Sequence, residues 1–320
     1  MRNPGADAFQ AFLSKHKESR IVVMAHDRAD VDSLSSAYSL SRLFPKSVIA
    51  AAEEMTEGAK MLAQKLGIAT TQLSELDKKD FDGIIAVDTS TYILAPQAKG
   101  WKVLCIIDHH RGESRDMKGE SEFIDPESPS AAEIIANLLH DEQISKDAAF
   151  ALSIGIIADG ARFKSARMQT FETLGHLMKK AGAPYQELLE YAEPAPKDDT
   201  KIALLTAMKR VEFVYAAGYV IATSEVGSNE SDAASLITEA ADVAFVAKWK
   251  DKEKETRISA RAAKSVKVPL NEVMDEVAKS LGGAGGGHNK AAGGSAKART
   301  KETLKKCVDT FIEYAERIGR

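Results

Sequence analysis

Asp and His residues recur in this sequence wherever an apolar run ends. IVVMA runs into His26, Asp30 and Asp32, spaced i, i+4, i+6 within HDRADVD. GIIAV ends at Asp88, VLCII at Asp108-His109-His110, and ALSIGIIA at Asp159. In open parallel α/β sheets the carboxyl ends of the strands face one crevice, where ligands bind. These segments would then deliver carboxylates and imidazoles to one place. Like charges at close range cannot all stay ionised, so the cluster calls for cations. His26, Asp30 and Asp32 can reach one cavity from a strand–loop–helix corner but not one ion. Two divalent metal ions are therefore expected, with Asp88 able to bridge them. Hard oxygen donors with a few imidazoles favour Mn²⁺, less decisively Mg²⁺ or Zn²⁺. Two such ions activate water and stabilise in-line displacement at phosphorus. Each residue also has an ordinary reading. An Asp after a strand commonly caps a helix, so Asp32 or Ser33 could cap the next one, and His109 and His110 could be loop residues. Their joint occurrence favours the metal site.

The elements that must position these groups alternate strand and helix. IVVMA and SVIAA are short β-branched runs, and SLSSAYSLSRLF between them has helical apolar spacing. Glu57–Leu66 reads as a helix stopped by Gly67. GIIAVD and VLCIID are wholly apolar strands, expected where both sheet faces are covered. Pro129–His140, Thr170–Ala181 and Pro184–Tyr191 read as helices. Phe150–Ala158 is a buried helix or a strand, which periodicity does not decide. The rhythm predicts an α/β fold, a doubly wound parallel sheet, with a second, smaller α+β domain. AEPAPKDD marks the boundary, because its prolines disfavour helix continuation. The expected division is residues 1–192, a linker over 193–199, and residues 200–320. Beyond the linker, Ala203–Val214 reads as a helix, GYVIAT, DVAFVAKWK and RISARA as strands, and KDKEKET as a hairpin tip. A glycine-rich loop, Gly282–Gly294, is expected between helices over Leu270–Leu281 and Lys301–Ile318.

Of 320 residues, 43 are Lys or Arg and 47 Asp or Glu, so the whole chain is not an electrostatic nucleic-acid binder. The charge is uneven. Residues 1–199 hold 23 basic against 31 acidic side chains, and residues 200–320 hold 20 against 16. An acidic half suits cations and a basic half suits an anionic substrate, although solvated surfaces vary this way by chance. Two cysteines, Cys105 in an apolar strand and Cys307, give no disulfide framework and fit a reducing cytosol. No signal-like segment or membrane-length apolar run is visible. A cytoplasmic protein with no membrane partner is expected.

In order, HDRADVDS, VDTS, DHH and GIIADGARF resemble the four motifs of the DHH phosphoesterases. RISARA followed by GGGHNKAAGG resembles the DHH-associated domain of the subgroup with nanoRNases and pAp phosphatases. The resemblance covers nearly the whole chain. It implies that His26, Asp30 and Asp88 hold one metal and that Asp32, Asp88, His109 and Asp159 hold the other. It makes Asp108 a residue that orients the histidines and His110 a contact to the scissile phosphate. Ala29 stands where many bacterial members have proline, and Ala158 where threonine is common; neither removes a ligand.

A glycine run is either a flexible linker or a backbone nest for an anion. The resemblance favours the nest, with Gly285, Gly286, Gly287 and His288 around a phosphate. It also makes Arg261 a phosphate or base contact. Arg162 and Lys164 would add positive charge. The implied activity is hydrolysis of short oligonucleotides (nanoRNA, pApA) or of pAp in a cleft between the domains. The alternatives are a RecJ-like single-strand exonuclease, a cyclic-dinucleotide phosphodiesterase, a pyrophosphatase and a non-catalytic nucleotide-binding module. A long-strand exonuclease needs stacking aromatics; Trp249, Phe245 and Tyr219 could serve. A homodimer is expected by family analogy alone.

Overall fold

The computed structural model describes residues 4–51, 54–110, 115–160 and 163–319. The chain divides into two units, Met1–Ala195 and Pro196–Arg320. The first contains α1 (Pro4–His16), β1 (Ile21–Met24), α2 (Val31–Ser41), β2 (Val48–Ala50), α3 (Glu57–Leu66), β3 (Gly83–Val87), β4 (Val103–Asp108), β5 (Ser121–Ile124), α4 (Ala131–Leu138), α5 (Lys146–Asp159), α6 (Met168–Ala181) and α7 (Tyr185–Ala192). Its sheet has the order β2-β1-β3-β4-β5, and every pairing is parallel. The chain builds outward from β1 in one direction, then returns to place β3 on its other side. The crevice that opens at such a reversal lies at the carboxyl ends of β1 and β3.

β1, β3 and β4 are buried along their whole length. One face, with Val23, Ile85 and Cys105, packs on helices that include α2, α4 and α5; the other, with Val22, Ile84 and Ile106, is covered by Leu73, Ala95, Ala98 and Met117. Coverage of both faces is why these strands show no polar alternation. α3 starts at the Thr56 cap and stops at Gly67, whose φ is +61°. That left-handed residue ends a helix without the steric cost a side chain would bring.

The stretch ending at Asp159 is a correction to its place among the strand ends. It is α5, a helix opened by the Ser145 side chain, which accepts from Ala148 N–H. α5 is buried from Ala148 to Ile157 and packs against α2, α4, α6 and α7. Surrounded on all sides, it has no polar stripe, so its sequence carries no helical period.

The second unit contains α8 (Asp198–Lys209), β6 (Glu212–Ala216), β7 (Tyr219–Glu225), α9 (Glu230–Ile237), β8 (Val243–Lys250), β9 (Glu255–Ala262), α10 (Leu270–Ser280), β10 (Gly285–His288), β11 (Ala291–Ala296) and α11 (Thr300–Ile318). Its mixed sheet runs β10-β11-β9-β8-β7-β6, with only β7 and β8 parallel. The helix expected over Ala203–Val214 thus starts earlier and ends at Lys209, and its last residues belong to β6. The glycine-rich stretch is not a loop: most of it is the β10–β11 hairpin. β10 has no β-forming composition; pairing with β11 and packing on α10 hold it extended.

Candidate metal centre

The carboxyl ends of β1, β3 and β4 and the end of α5 bring the expected donors together. His26 Nε2 lies 3.5 Å from Asp30 Oδ2 and 3.4 Å from Asp88 Oδ2. His109 Nε2 lies 3.3 Å from Asp88 Oδ1 and 3.1 Å from Asp159 Oδ2. Three sets of donors sit within 4.8 Å of one another: His26, Asp30 and Asp88; Asp32, His109 and Asp159; and Asp88, His109 and His110. Asp88 and His109 each belong to two sets, so the groups form one continuous cluster.

Asp88 is strained and central. Its φ is +59°, a left-handed conformation uncommon outside glycine, although Asp tolerates it better than most residues. The Asp88 N–H still donates to Ile107 O at 2.8 Å. The turn therefore leaves the sheet while aiming the carboxylate into the cluster. Asp88 Oδ1 and His109 Nε2 are both buried, and neither makes a hydrogen bond among the described residues. Orphaned buried polar atoms are costly. With one oxygen toward His26 and the other toward His109, this donor set fits two divalent ions sharing Asp88.

Several ligand candidates also perform the ordinary roles allowed for them. Asp30 caps α2, with Oδ1 accepting from Ser33 N–H at 2.9 Å while Oδ2 faces His26. Asp32 does not cap its own helix. Its oxygens accept from Ala131 and Ala132 N–H at 2.7 and 2.9 Å, at the start of α4 a hundred residues away. The positive end of α4 helps hold a carboxylate there. Even so, burial and the nearby Asp88 and Asp159 carboxylates push the Asp32 carboxyl well above its ordinary value. A cation would relieve that conflict.

The imidazoles are oriented from behind. His109 Nδ1 donates to Ser128 O at 3.2 Å, which leaves Nε2 for the cluster. His26 Nδ1 lies 3.2 Å from the Arg28 backbone nitrogen, and its Nε2 faces Asp30 and Asp88. His110 Nδ1 donates to Asp108 Oδ1 at 2.8 Å, and Ser90 Oγ donates to Asp108 Oδ2 at 2.6 Å. Burial opposes charge on His26 and His109, but their carboxylate neighbours outweigh it and raise them to about 10 and about 11. His110 is also raised, chiefly by its bond to Asp108, and Asp108 is lowered because His110 and Ser90 outweigh burial.

Some residues to which no sequence motif assigns a role also contribute. Ser90 lies within VDTS, but that motif alone gave it no role. Arg167 bonds Glu133 at 2.9 Å and Asp125 at 2.8 Å, bracketing the segment that carries Ser128. Glu133 is fully buried. Gly155 lets α5 approach α2: a Cβ there would meet Ser35 Oγ, Ala132 Cβ and Asp32 Oδ1. No local signal marks these residues, because each acts on something distant in sequence. Arg162 lies outside the described residues.

In the second unit, Arg261 pairs with Ala291, and Ala291 with His288. Directly paired residues point to the same sheet face. Arg261 and His288 therefore share a face, two strand spacings or about 10 Å apart. The Arg261 Nη2 donates to Ser231 Oγ at 2.6 Å, fixing the guanidinium at the start of α9. The glycines divide their labour. A Cβ on Gly285 would run into Met274 O of α10, and one on Gly287, at φ +134°, into β11, whereas Gly286 faces open space. Phe245 is fully buried against Phe311, and the Arg299 guanidinium lies 4.0 Å above the Trp249 ring. Neither is a free stacking platform, contrary to the role considered for them.

Fold and donors define an α/β domain with a carboxylate–histidine cluster at its sheet's carboxyl edge, joined to an α+β domain. Comparison with known proteins agrees. The model of the DHH family N-terminal domain matches residues 20–156, and that of the DHHA1 domain matches residues 218–317. The uncharacterized protein MJ0988 of Methanocaldococcus jannaschii is 30% identical over 319 residues, covering 93% of this chain and 95% of its own. An exopolyphosphatase-related protein from Bacteroides fragilis superposes with a TM-score of 0.77 at 16% identity, over 98% of this chain and 97% of its own. A putative family II inorganic pyrophosphatase of Methanococcus jannaschii gives 0.52 at 18% identity, over 92% and 99%. The chain belongs to the DHH family of phosphoesterases and carries a DHHA1 domain. Among the described residues, no helix is long and apolar enough to cross a membrane.

Proposed function

We propose that the chain is a Mn²⁺-dependent phosphoesterase that cleaves short oligonucleotides such as nanoRNA and pApA, and also pAp. The observation that carries the reading is the facing pair of unpartnered buried atoms, Asp88 Oδ1 and His109 Nε2, inside a ring of further donors. His26, Asp30 and Asp88 are assigned to one ion, and Asp32, Asp88, His109 and Asp159 to the other. When bound, such a pair of ions supplies an activated water and stabilises charge on phosphoryl oxygens. His110, with Nδ1 engaged by Asp108, keeps Nε2 free to donate to the scissile phosphate. Ser90 fixes Asp108 and so holds that ring in place. Arg261 and His288 hold another phosphate or the base of the substrate; a planar guanidinium suits a phosphate. The lack of free stacking rings at Phe245 and Trp249 favours short substrates over long single strands.

The test is turnover of 5′-labelled RNA, from a dinucleotide upward, with Mn²⁺ or with EDTA. pAp, a cyclic dinucleotide, pyrophosphate and linear polyphosphate are run beside it. Fast Mn²⁺-dependent cleavage of the shortest RNAs with a steep fall on longer ones supports the reading. Processive digestion of the longest strand replaces it with a RecJ-like exonuclease. Phosphate release from pyrophosphate or polyphosphate alone moves the substrate away from nucleic acid.

A further inference from the structure

We infer that β6 is a pairing edge for a second copy of this chain, joining two second-unit sheets antiparallel about a twofold axis at Val214. The inference is independent of the metal-site reading.

β6 is the last strand of its sheet, yet it is apolar on both faces. Phe213 is 70% exposed, Tyr215 71% and Val214 45%. Just before it, α8 presents Ile202, Leu205 and Met208, exposed at 65%, 66% and 57%. Those three are spaced three apart and form one stripe, opposite the buried Ala203 and Ala207. Exposed large apolar side chains concentrated on neighbouring elements mark an interface. Sheet edges are usually protected by Lys, Pro or a bulge. β6, with the sequence EFVYA, has no Lys or Pro, and its register with β7 is unbroken.

The hairpin geometry says which backbone groups are free. Ala217 and Gly218, with φ of +50° and +83°, form the two-residue turn between Ala216 and Tyr219. Such a turn is flanked by a hydrogen-bonded pair, and the pattern alternates from there. Glu212, Val214 and Ala216 therefore bond to β7, while Phe213 and Tyr215 turn their N–H and C=O outward. An antiparallel twofold at Val214 sets Phe213 opposite Tyr215 of the other copy. That pair can exchange both backbone bonds and bring the aromatic rings together twice over. Glu212 then faces Ala216 of the other copy, so no like charges meet. The strand is self-complementary, as a twofold interface requires. Aromatic and aliphatic side chains of roughly 100–250 Å² each at these exposures give an apolar surface of several hundred Å² per copy. That approaches the roughly 800 Å² per partner of a stable interface.

The experiment measures mass in solution by light scattering and cross-linking at the axis. The wild-type chain is expected at twice its chain mass. The substitutions Phe213→Lys and Tyr215→Lys together are expected to give the monomer with an unchanged circular dichroism spectrum, because both side chains are exposed. In V214C, the two new thiols face each other across a non-hydrogen-bonded pair and should oxidise to a covalent dimer. The native Cys105 and Cys307 are buried and do not interfere. Lys254→Cys, at the β8–β9 tip, is the exposed control and should not cross-link. A monomeric wild type, a dimer that survives the double substitution, or V214C cross-linking no faster than the control overturns the inference.

Discussion

Asp88 Oδ1 and His109 Nε2 lie 3.3 Å apart, both buried, and neither has a hydrogen-bond partner among the described residues. Two adjacent segments of one sheet edge thus point metal-ligating atoms at a shared space. Asp88 reaches it only by adopting a φ of +59°. Strain of this kind is associated with function, because folding alone gives no reason to keep it.

Asp88→Asn tests that relationship directly. Asn tolerates the left-handed backbone, so the change removes charge with little change of shape. Activity should fall by more than the roughly 10–100-fold typical of losing an outer-shell partner. Mn²⁺ binding measured by calorimetry should weaken with it. Unchanged Mn²⁺ affinity would remove Asp88 from the centre.

Protons should compete with the metal. The surrounding carboxylates raise His26 and His109 to about 10 and about 11, and an imidazolium cannot ligate. Metal binding should therefore release protons, and affinity should rise with pH. Calorimetry in buffers of different ionisation enthalpy measures the number released. The metal-free protein has the opposite dependence. Both groups are raised above 6.5, so their ion pairs stabilise the fold fully below that pH and are lost as pH climbs through their folded values. Metal affinity that does not change between pH 6 and 8 contradicts this account.

Arg167 should matter at a distance. Its substitution by Met leaves the buried Glu133 without its cation, and Glu133 Oε2 already has no hydrogen-bond partner among the described residues. Removing one partner of a fully buried pair costs about 3–5 kcal/mol. The cost here should be smaller, because Arg167 and Asp125 are partly exposed. Combining it with Glu133→Leu should recover much of the melting temperature. Mn²⁺ affinity should stay weakened, because the Asp125 tie on the Ser128 segment is still missing. Recovery of affinity along with stability would limit Arg167 to a structural role.

His288 and Gly155 separate substrate binding from core geometry. His288→Ala should mainly raise KM, with kcat close to wild type, since His288 is exposed and lies in the second unit. Gly155→Ala should destabilise by roughly 1–3 kcal/mol, the usual cost of overpacking, because its Cβ would press on Ala132 and Asp32. A fall in kcat for the first, or an unchanged melt for the second, would count against these roles.

The parallel strands and the metal-ligating residues that follow them are legible in residue type and order alone. Long apolar runs specify buried strands by composition, and Asp and His at their ends are visible without a structure. The helix stop at Gly67 is legible too, because local backbone chemistry suffices there. Tertiary structure decided what depends on distant partners. ALSIGIIA is a helix because other helices surround it, and burial on all sides erases the period that would reveal it. GGGH is a strand because β11 pairs with it, which glycine propensity does not foretell. Asp32 is held by the start of α4, and His109 by Ser128 O, through contacts between segments far apart in the chain. The strain at Asp88, the grip of Arg167 on Glu133 and the bare edge of β6 have the same origin. Each depends on which segments meet in space, and residue type alone does not encode that.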